Sequence, residues 1–280
     1  MFRNPAIAIP GAVSLFMVCI ALFAPVLAPF DPLAGSLEAR LLPPAWEANG
    51  DMAHLLGTDR MGRDVLSRLI HGAQISLSVV ALALLIAGSI GSALGIVAGY
   101  VGGLTEALLM RLVDLALSLP IILIALLFGV VFGPDFGNIV IIISLVLWSQ
   151  FARMARSETL KIKNSEFIDL ARTAGLHPIA IMVRHIVPNV AGPLIVLATL
   201  QVGTVIIIEA SLSFLGVGVP PPTPAWGSMI AEGRSYIVSE PWLCIIPGLA
   251  ILITVLAVNM LGDALAETLN PELARRPGGH

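Results

Sequence analysis

The sequence predicts an all-α polytopic membrane protein with about six transmembrane helices. Hydrophobic residues make up 57% of the 280 and charged residues 12%, where a soluble domain would carry roughly 25% charge. Mean hydropathy is +0.95. The apolar residues come in blocks of about 20, enough for a helix to cross the ~30 Å of hydrocarbon in a bilayer. Lipid offers the backbone no hydrogen-bond partner, so such blocks must be helical.

The blocks fall at 8–28, 74–99, 107–132, 137–153, 190–214 and 242–266. The first continues through Ala-Pro-Val-Leu-Ala-Pro-Phe without a small-residue cleavage site, and is read as an anchor rather than a signal peptide. Polar segments at 30–72, 154–188 and 216–241 separate the spans. With the N-terminus inside, ten of the fifteen Lys and Arg lie on cytoplasmic segments, which predicts an N-in/C-in arrangement. Cys19 and Cys244 lie in apolar blocks and read as packing residues. No internal repeat of the secondary-transporter kind is visible, so a pore made by this chain alone would lack the usual symmetry. A partner chain is expected.

Charges within the spans are few. Glu209 falls in the fifth span, where a carboxylate costs roughly 2.5–3.5 kcal/mol to insert. It is expected to face a translocation path, or to be held structurally by an ion pair or hydrogen bonds. Arg111 and Asp114 stand three apart and are expected to pair on one helix face. Pro120 and Pro247 predict kinks in spans three and six.

The segment NSEFIDLARTAGLHPIAIMVRHIVPN at 164–189 reads as two short amphipathic helices. Phe167, Leu170, Ala171 and Ala174 follow the spacing of one apolar face, with Glu166, Asp169, Arg172 and Thr173 opposite. Asn164 or Ser165 can cap the start, Gly175 can end the helix in a left-handed conformation, and Pro178 can open the next. The second apolar face is Ile179, Met182, Val183 and Ile186. On pattern alone this is either a packed loop or a docking element.

Asp-Leu-Ala-x-x-x-Gly at 169–175, followed by Val-Pro at 187–188, resembles the EAA motif of ABC importer permeases, with Asp169 for Glu and Leu170 for Ala. LGTDRMGRDVLSRLIHGAQISL at 56–77 resembles the segment before span two in the C-type permeases of the dipeptide/oligopeptide/nickel branch, through Asp59, Gly62, Arg63, Asp64, Ser67 and Arg68. Its alternating charges read as exposed local ion pairs holding a folded outer loop, each contributing little. SLSFLGVGVPPPTPAWGSMI at 211–230 also resembles that branch, with Trp226 expected at headgroup level. Asn259, Gly262, Asp263 and Pro271 resemble its last span and tail.

The resemblance implies a type I ABC importer permease fold in the bacterial cytoplasmic (inner) membrane. Residues 1–72 would form an anchor helix and extracytoplasmic loop, 73–273 the transmembrane domain with its coupling loop at 154–188, and 274–280 a cytoplasmic tail. It implies coupling to the ATPase subunit through Glu166, Asp169, Ala171, Arg172, Gly175, Leu176, His177 and Pro178. Ala171 is expected where a partner surface approaches closely. Implied partners are a homologous B-type permease, two cytosolic ATPases and an extracytoplasmic solute-binding protein, with no nucleic acid. No phosphate-cradling Gly-x-x-x-x-Gly-Lys-[Ser/Thr] occurs, so ATP and Mg belong to the partner ATPases and no cofactor is expected here. The five His show no zinc-ligand spacing. The rival reading is a stand-alone secondary transporter or channel.

Overall fold

A computed structural model of the chain describes residues 5–269. Pro271, the expected tail 274–280, Arg3, Arg275 and Arg276 lie outside the described residues. An N-terminal helix α1 (Pro5–Leu22) and a single turn α2 (Ala24–Leu27) precede a long loop that contains one 3-10 turn, Leu37–Ala39. Then come α3 (Val65–Val101), α4 (Gly103–Ser118), α5 (Ile121–Phe132) and α6 (Phe136–Lys163). Two short helices, α7 (Glu166–Thr173) and α8 (Pro178–Ile181), lead through a π turn at Met182–Ile186 into α9 (Val187–Phe214). A short α10 (Trp226–Gly233) and α11 (Trp242–Leu269) complete the described chain.

Among the described residues, four helical stretches are long and apolar enough to cross a membrane: Val65–Val101, Phe136–Lys163, Pro178–Phe214 and Trp242–Glu267. The expected third span is two helices rather than one kinked helix. Leu119 and Pro120 are both extended, and α4 and α5 meet at 89°. Proline pushes the residue before it out of the helical region and cannot donate to the turn behind it. Counted as one bent span, the pair makes five. The apolar stretch of α1, Ile7–Leu22, is shorter than these.

Helix ends overrun the apolar blocks. α3 begins at Val65, so the expected boundary at residue 72 falls inside a helix. α6 continues to Lys163, ten residues beyond the expected end of its span at 153. Charge density therefore marks where hydrocarbon would end, not where the helix ends. The polar turns of α6 pair with α4: Arg153 Nη2 donates to Asp114 Oδ1 at 2.7 Å, and Arg156 pairs with Glu106. The expected Arg111–Asp114 pair is thus replaced by a bridge between helices.

The core is centred on α3 and α6. Val79, Val80, Ala83 and Ala87 of α3 pack on Ile139, Ile142, Ile143, Leu147 and Phe151 of α6, with Val205, Ile206 and Leu212 of α9 closing the cluster. Lipid tails are as apolar as leucine, so such helices associate through close packing rather than expulsion of water. Gly91, Gly95 and Gly99 make that approach possible. A Cβ on Gly91 would sit 2.2 Å from the Trp148 carbonyl oxygen, and one on Gly95 2.2 Å from that of Ala152. These obstacles are backbone and cannot rotate aside. Gly95→Val is expected to force α3 and α6 apart and to destabilise the chain by about 1–3 kcal/mol or more. A thermal-aggregation midpoint in detergent several degrees below wild type would show this, whereas Gly248→Ala in α11, with nothing within 4 Å of its Cβ position, serves as the control at a glycine remote from the seam.

Candidate functional site: a charged cap, a buried carboxylate and a two-helix elbow

One end of the bundle carries a cap built from the loop before α3 and from α10. Asp64 starts α3 by accepting the Ser67 N–H and hydroxyl, both at 2.7 Å, on Oδ2. Gly57 and Gly62 take φ of +76° and +72°, and a Cβ on Gly62 would strike the Ser36 carbonyl. The folded loop delivers Asp59 and Arg63 to Arg68 on the first turn of α3. Arg63 Nε donates to Asp59 Oδ2 at 2.7 Å and its Nη2 to Glu232 Oε2 at 2.8 Å. Arg68 donates to both Glu232 oxygens, at 2.9 and 3.1 Å, and also to Asp59 Oδ2.

These pairs are buried, not exposed as the sequence suggested. The side chains of Arg63 and Arg68 are 3% and 2% accessible, and Val65, Met229 and Leu243 line a small cavity beside Arg68. Glu232 of α10 is the partner that sequence reasoning missed. Two cations and two anions balance, and burial that would raise the Asp59 carboxyl is outweighed by the Arg63 N–H, Arg68 and Arg63, which hold it below the usual range.

A second polar chain joins α3, α9 and α10. Glu209 is 1% exposed; its Oε2 accepts the Ser76 hydroxyl at 3.2 Å and its Oε1 the Ser213 hydroxyl at 2.8 Å. Ser76 Oγ accepts the Trp226 backbone N–H at 3.3 Å. Glu209 is thus enclosed and hydrogen-bonded within its own chain. Trp226 is also displaced from its expected headgroup position. It is 1% exposed, its indole N–H donates to the Leu69 carbonyl at 3.0 Å, and its ring lies against Gly72.

Beside this cap, Ile122 of α5, Ile207, Ala210 and Phe214 of α9 and Ile230 of α10 line a hollow of ≈ 420 Å³. A smaller one of ≈ 150 Å³, lined by Ser213, Gly218, Pro220, Ser228, Ala231 and Glu232, lies at the end of α9.

At the opposite end, α7 and α8 form an elbow. Glu166 and Asp169 occupy the first turn of α7 and are exposed. Arg172 pairs with Asp169 at 3.1 Å and lies 5.6 Å from the Tyr100 ring centre. Ser165 precedes the helix, but its hydroxyl donates to Ile162 O instead of capping. Gly175 has φ +77°, and Leu176 N–H returns to Ala171 O at 3.1 Å. His177 Nδ1 accepts the Ile179 N–H at 3.3 Å, and Pro178 occupies the first turn of α8.

The apolar faces are rotated from those the spacing suggested. Ile168, Ala171, Ile181 and Ile186 are buried against Ile96 of α3 and Ala155 of α6. Ala171 therefore packs inside its own chain, not where a partner approaches. Phe167, Leu170, Ile179 and Val183 are turned outward, 44–70% exposed. The stronger inward pull is Ile168, which the periodic pattern passed over.

The cap yields two expectations. Arg68→Ala leaves Asp59 and Glu232 short of a buried partner and is expected to cost about 3–5 kcal/mol, read as a lower thermal midpoint and faster proteolysis of the 28–64 loop. An Asp whose folded pKa is depressed contributes stability that is present above its unfolded value, about 3.9, and lost as pH falls through the folded value. Proteolytic resistance of the loop should thus be level from pH 7 to 5 and fall only below about 4, and Asp59→Asn should be sensitive already at neutral pH.

Comparison with known proteins accords with this architecture. Residues 91–275 match the family described as "Binding-protein-dependent transport system inner membrane component". The chain is 42% identical over 273 residues to the dipeptide transport system permease protein DppC of Escherichia coli (strain K12), covering 97% of this chain and 91% of that one. It is 42% identical over 259 residues to the di/tripeptide transport system permease protein DppC of Pseudomonas aeruginosa (strain UCBPP-PA14), covering 92% and 86%. It is 38% identical over 274 residues to the glutathione transport system permease protein GsiD of Escherichia coli O1:K1 / APEC, covering 97% and 88%. Among solved structures, a chain of the inward-facing MetNI methionine ABC transporter superposes with a TM-score of 0.61 at 18% identity, over 73% of this chain and 97% of that chain, and so shares the fold. The chain belongs to the family of inner-membrane components of binding-protein-dependent transport systems.

Proposed function

We propose that this chain is one of two permease subunits in an ATP-driven importer of short peptides or peptide-like solutes. The relatives named for dipeptide, di/tripeptide and glutathione transport support that substrate class. A B-type permease would supply the facing half of the pore, with the hollow between α5, α9 and α10 as this chain's share of the path. A solute-binding protein would deliver substrate at the capped end. In this reading α1 and the bent α4–α5 pair count as spans, giving six, with both termini and the elbow in the cytoplasm.

The observation that carries the reading is the elbow's exposed apolar surface. Phe167, Leu170, Ile179 and Val183 project among charged neighbours at a bundle end where α6 has already turned polar. An ATPase subunit seated there, flanked by Glu166, Asp169 and Arg172, would bury them. Gly175, Leu176, His177 and Pro178 then set the angle between the two helices. ATP binding would close the ATPase pair and shift the elbow, biasing the pore toward the state in which those contacts are better. A stand-alone channel has no use for such a surface.

Leu170→Asp should abolish ATPase co-purification and ATP-driven uptake in reconstituted vesicles while the chain still inserts and pairs with its sister permease. Gly175→Val, strained by roughly 1–2 kcal/mol at positive φ, should weaken both by a smaller factor. Full ATPase retention and uptake in Leu170→Asp would leave 164–189 as a connecting loop only.

A further inference from the structure

α10 has eight residues, too short to hold a helix or a position by itself. It packs on α11, with Met229 clustered with Trp242 and Leu243 and Gly233 against Leu243, and two polar anchors tie it to α3 and the loop before it. At its start, Trp226 is bound by Ser76 and by the Leu69 carbonyl of α3. Near its end, Glu232 is gripped by three donating groups, from Arg63 and Arg68. Between the anchors, Ile230 forms part of the wall of the ≈ 420 Å³ hollow, and Ser228 and Ala231 part of the wall of the ≈ 150 Å³ one. Gly227 lies so close to α9 that a Cβ would fall 2.4 Å from Ala210 Cα, so the start of α10 cannot shift inward. With that end fixed, loss of the Glu232 contacts would loosen the other, and any shift there carries Ile230 and Ala231, which line the two hollows.

We propose that Glu232 is a positioning residue for substrate selection: held by Arg63 and Arg68, it fixes the cavity-facing side of α10 and so sets the size of peptide the cavity accepts. This rests on the peptide-permease reading above. The charged quartet is then not only a staple for the loop. It also holds the wall that the solute meets, with Glu232 itself lining part of the smaller hollow. Arg63 and Arg68 act through Glu232.

The test uses the complete complex, with sister permease, ATPases and binding protein, reconstituted in vesicles. Glu232→Gln removes the charge but keeps an acceptor; Glu232→Asp keeps the charge on a shorter arm. Uptake of di-, tri- and tetra-alanine is measured for KM and kcat. Separately, Ile230→Cys in a background lacking Cys19 and Cys244 is labelled with an impermeant thiol reagent, which needs no transport. In Glu232→Gln the expected results are at least fivefold faster labelling at 230, a KM raised at least threefold with a smaller change in kcat, and an altered ratio of tri- to dipeptide uptake. Glu232→Asp should recover most of each. Unchanged labelling overturns the proposal, as does a loss confined to kcat or an unaltered length profile. If the wild-type complex takes up none of these peptides, the functional reading fails instead, and labelling alone decides whether Glu232 positions α10.

Discussion

In hydrocarbon a helix gains nothing by expelling water from its neighbour, so the seam between α3 and α6 depends on how closely two backbones can lie. Three glycines one turn apart let α3 rest directly on the carbonyls of α6. Everything else is placed from that pair. α9 closes the core against both, α4 is tied back to α6 by Arg153 and Arg156, and the elbow sits beneath Ile96 of α3 and Ala155 of α6. α3 thus reaches both ends, with the cap on its first turn and the elbow against its Ile96.

The ends solve opposite problems. At the cap, four ionised side chains are drawn inside and satisfied by each other, an arrangement that adds little net stability but is costly to break. At the elbow, large apolar side chains are left outside. A chain that can bury arginine so thoroughly has no shortage of interior. Its outward Leu170 and Val183 are the surface on which the proposed docking rests.

Much of this was legible in the sequence because bilayer thickness and the backbone's need for partners leave few options. The apolar blocks, a bend at Pro120 (though not its full break into two helices), the positive φ of Gly175 and the turn at Pro178 all follow from local rules. What stayed hidden depended on pairing across the chain. Glu232 is 164 positions from Arg68, and nothing near it announced a buried role. Asp114 chose Arg153 over the neighbour three residues away, since an interhelical bridge was within reach. Trp226 looked like an interfacial ring until α3 and α10 closed around it. In α7 the heptad-like spacing of Phe167, Leu170 and Ala174 hid the fact that Ile168 was the residue facing home. The Gly91–Gly95–Gly99 stripe was visible at four-residue intervals, yet its meaning needed a facing helix.

The π turn at Met182–Ile186 gives the elbow a phase. From Pro178 to Phe214 the chain is one uninterrupted helix of 37 residues, and within it a single wide turn offsets the residues before it from those after. An α-helix advances about 100° per residue, so the loss of one residue in that turn would rotate α8 by that angle about the axis of α9. Ile181 would leave its pocket and a different set of side chains would point outward. Which face the elbow shows to its surroundings is therefore written not in α8 itself, but in the count of residues between α8 and the core.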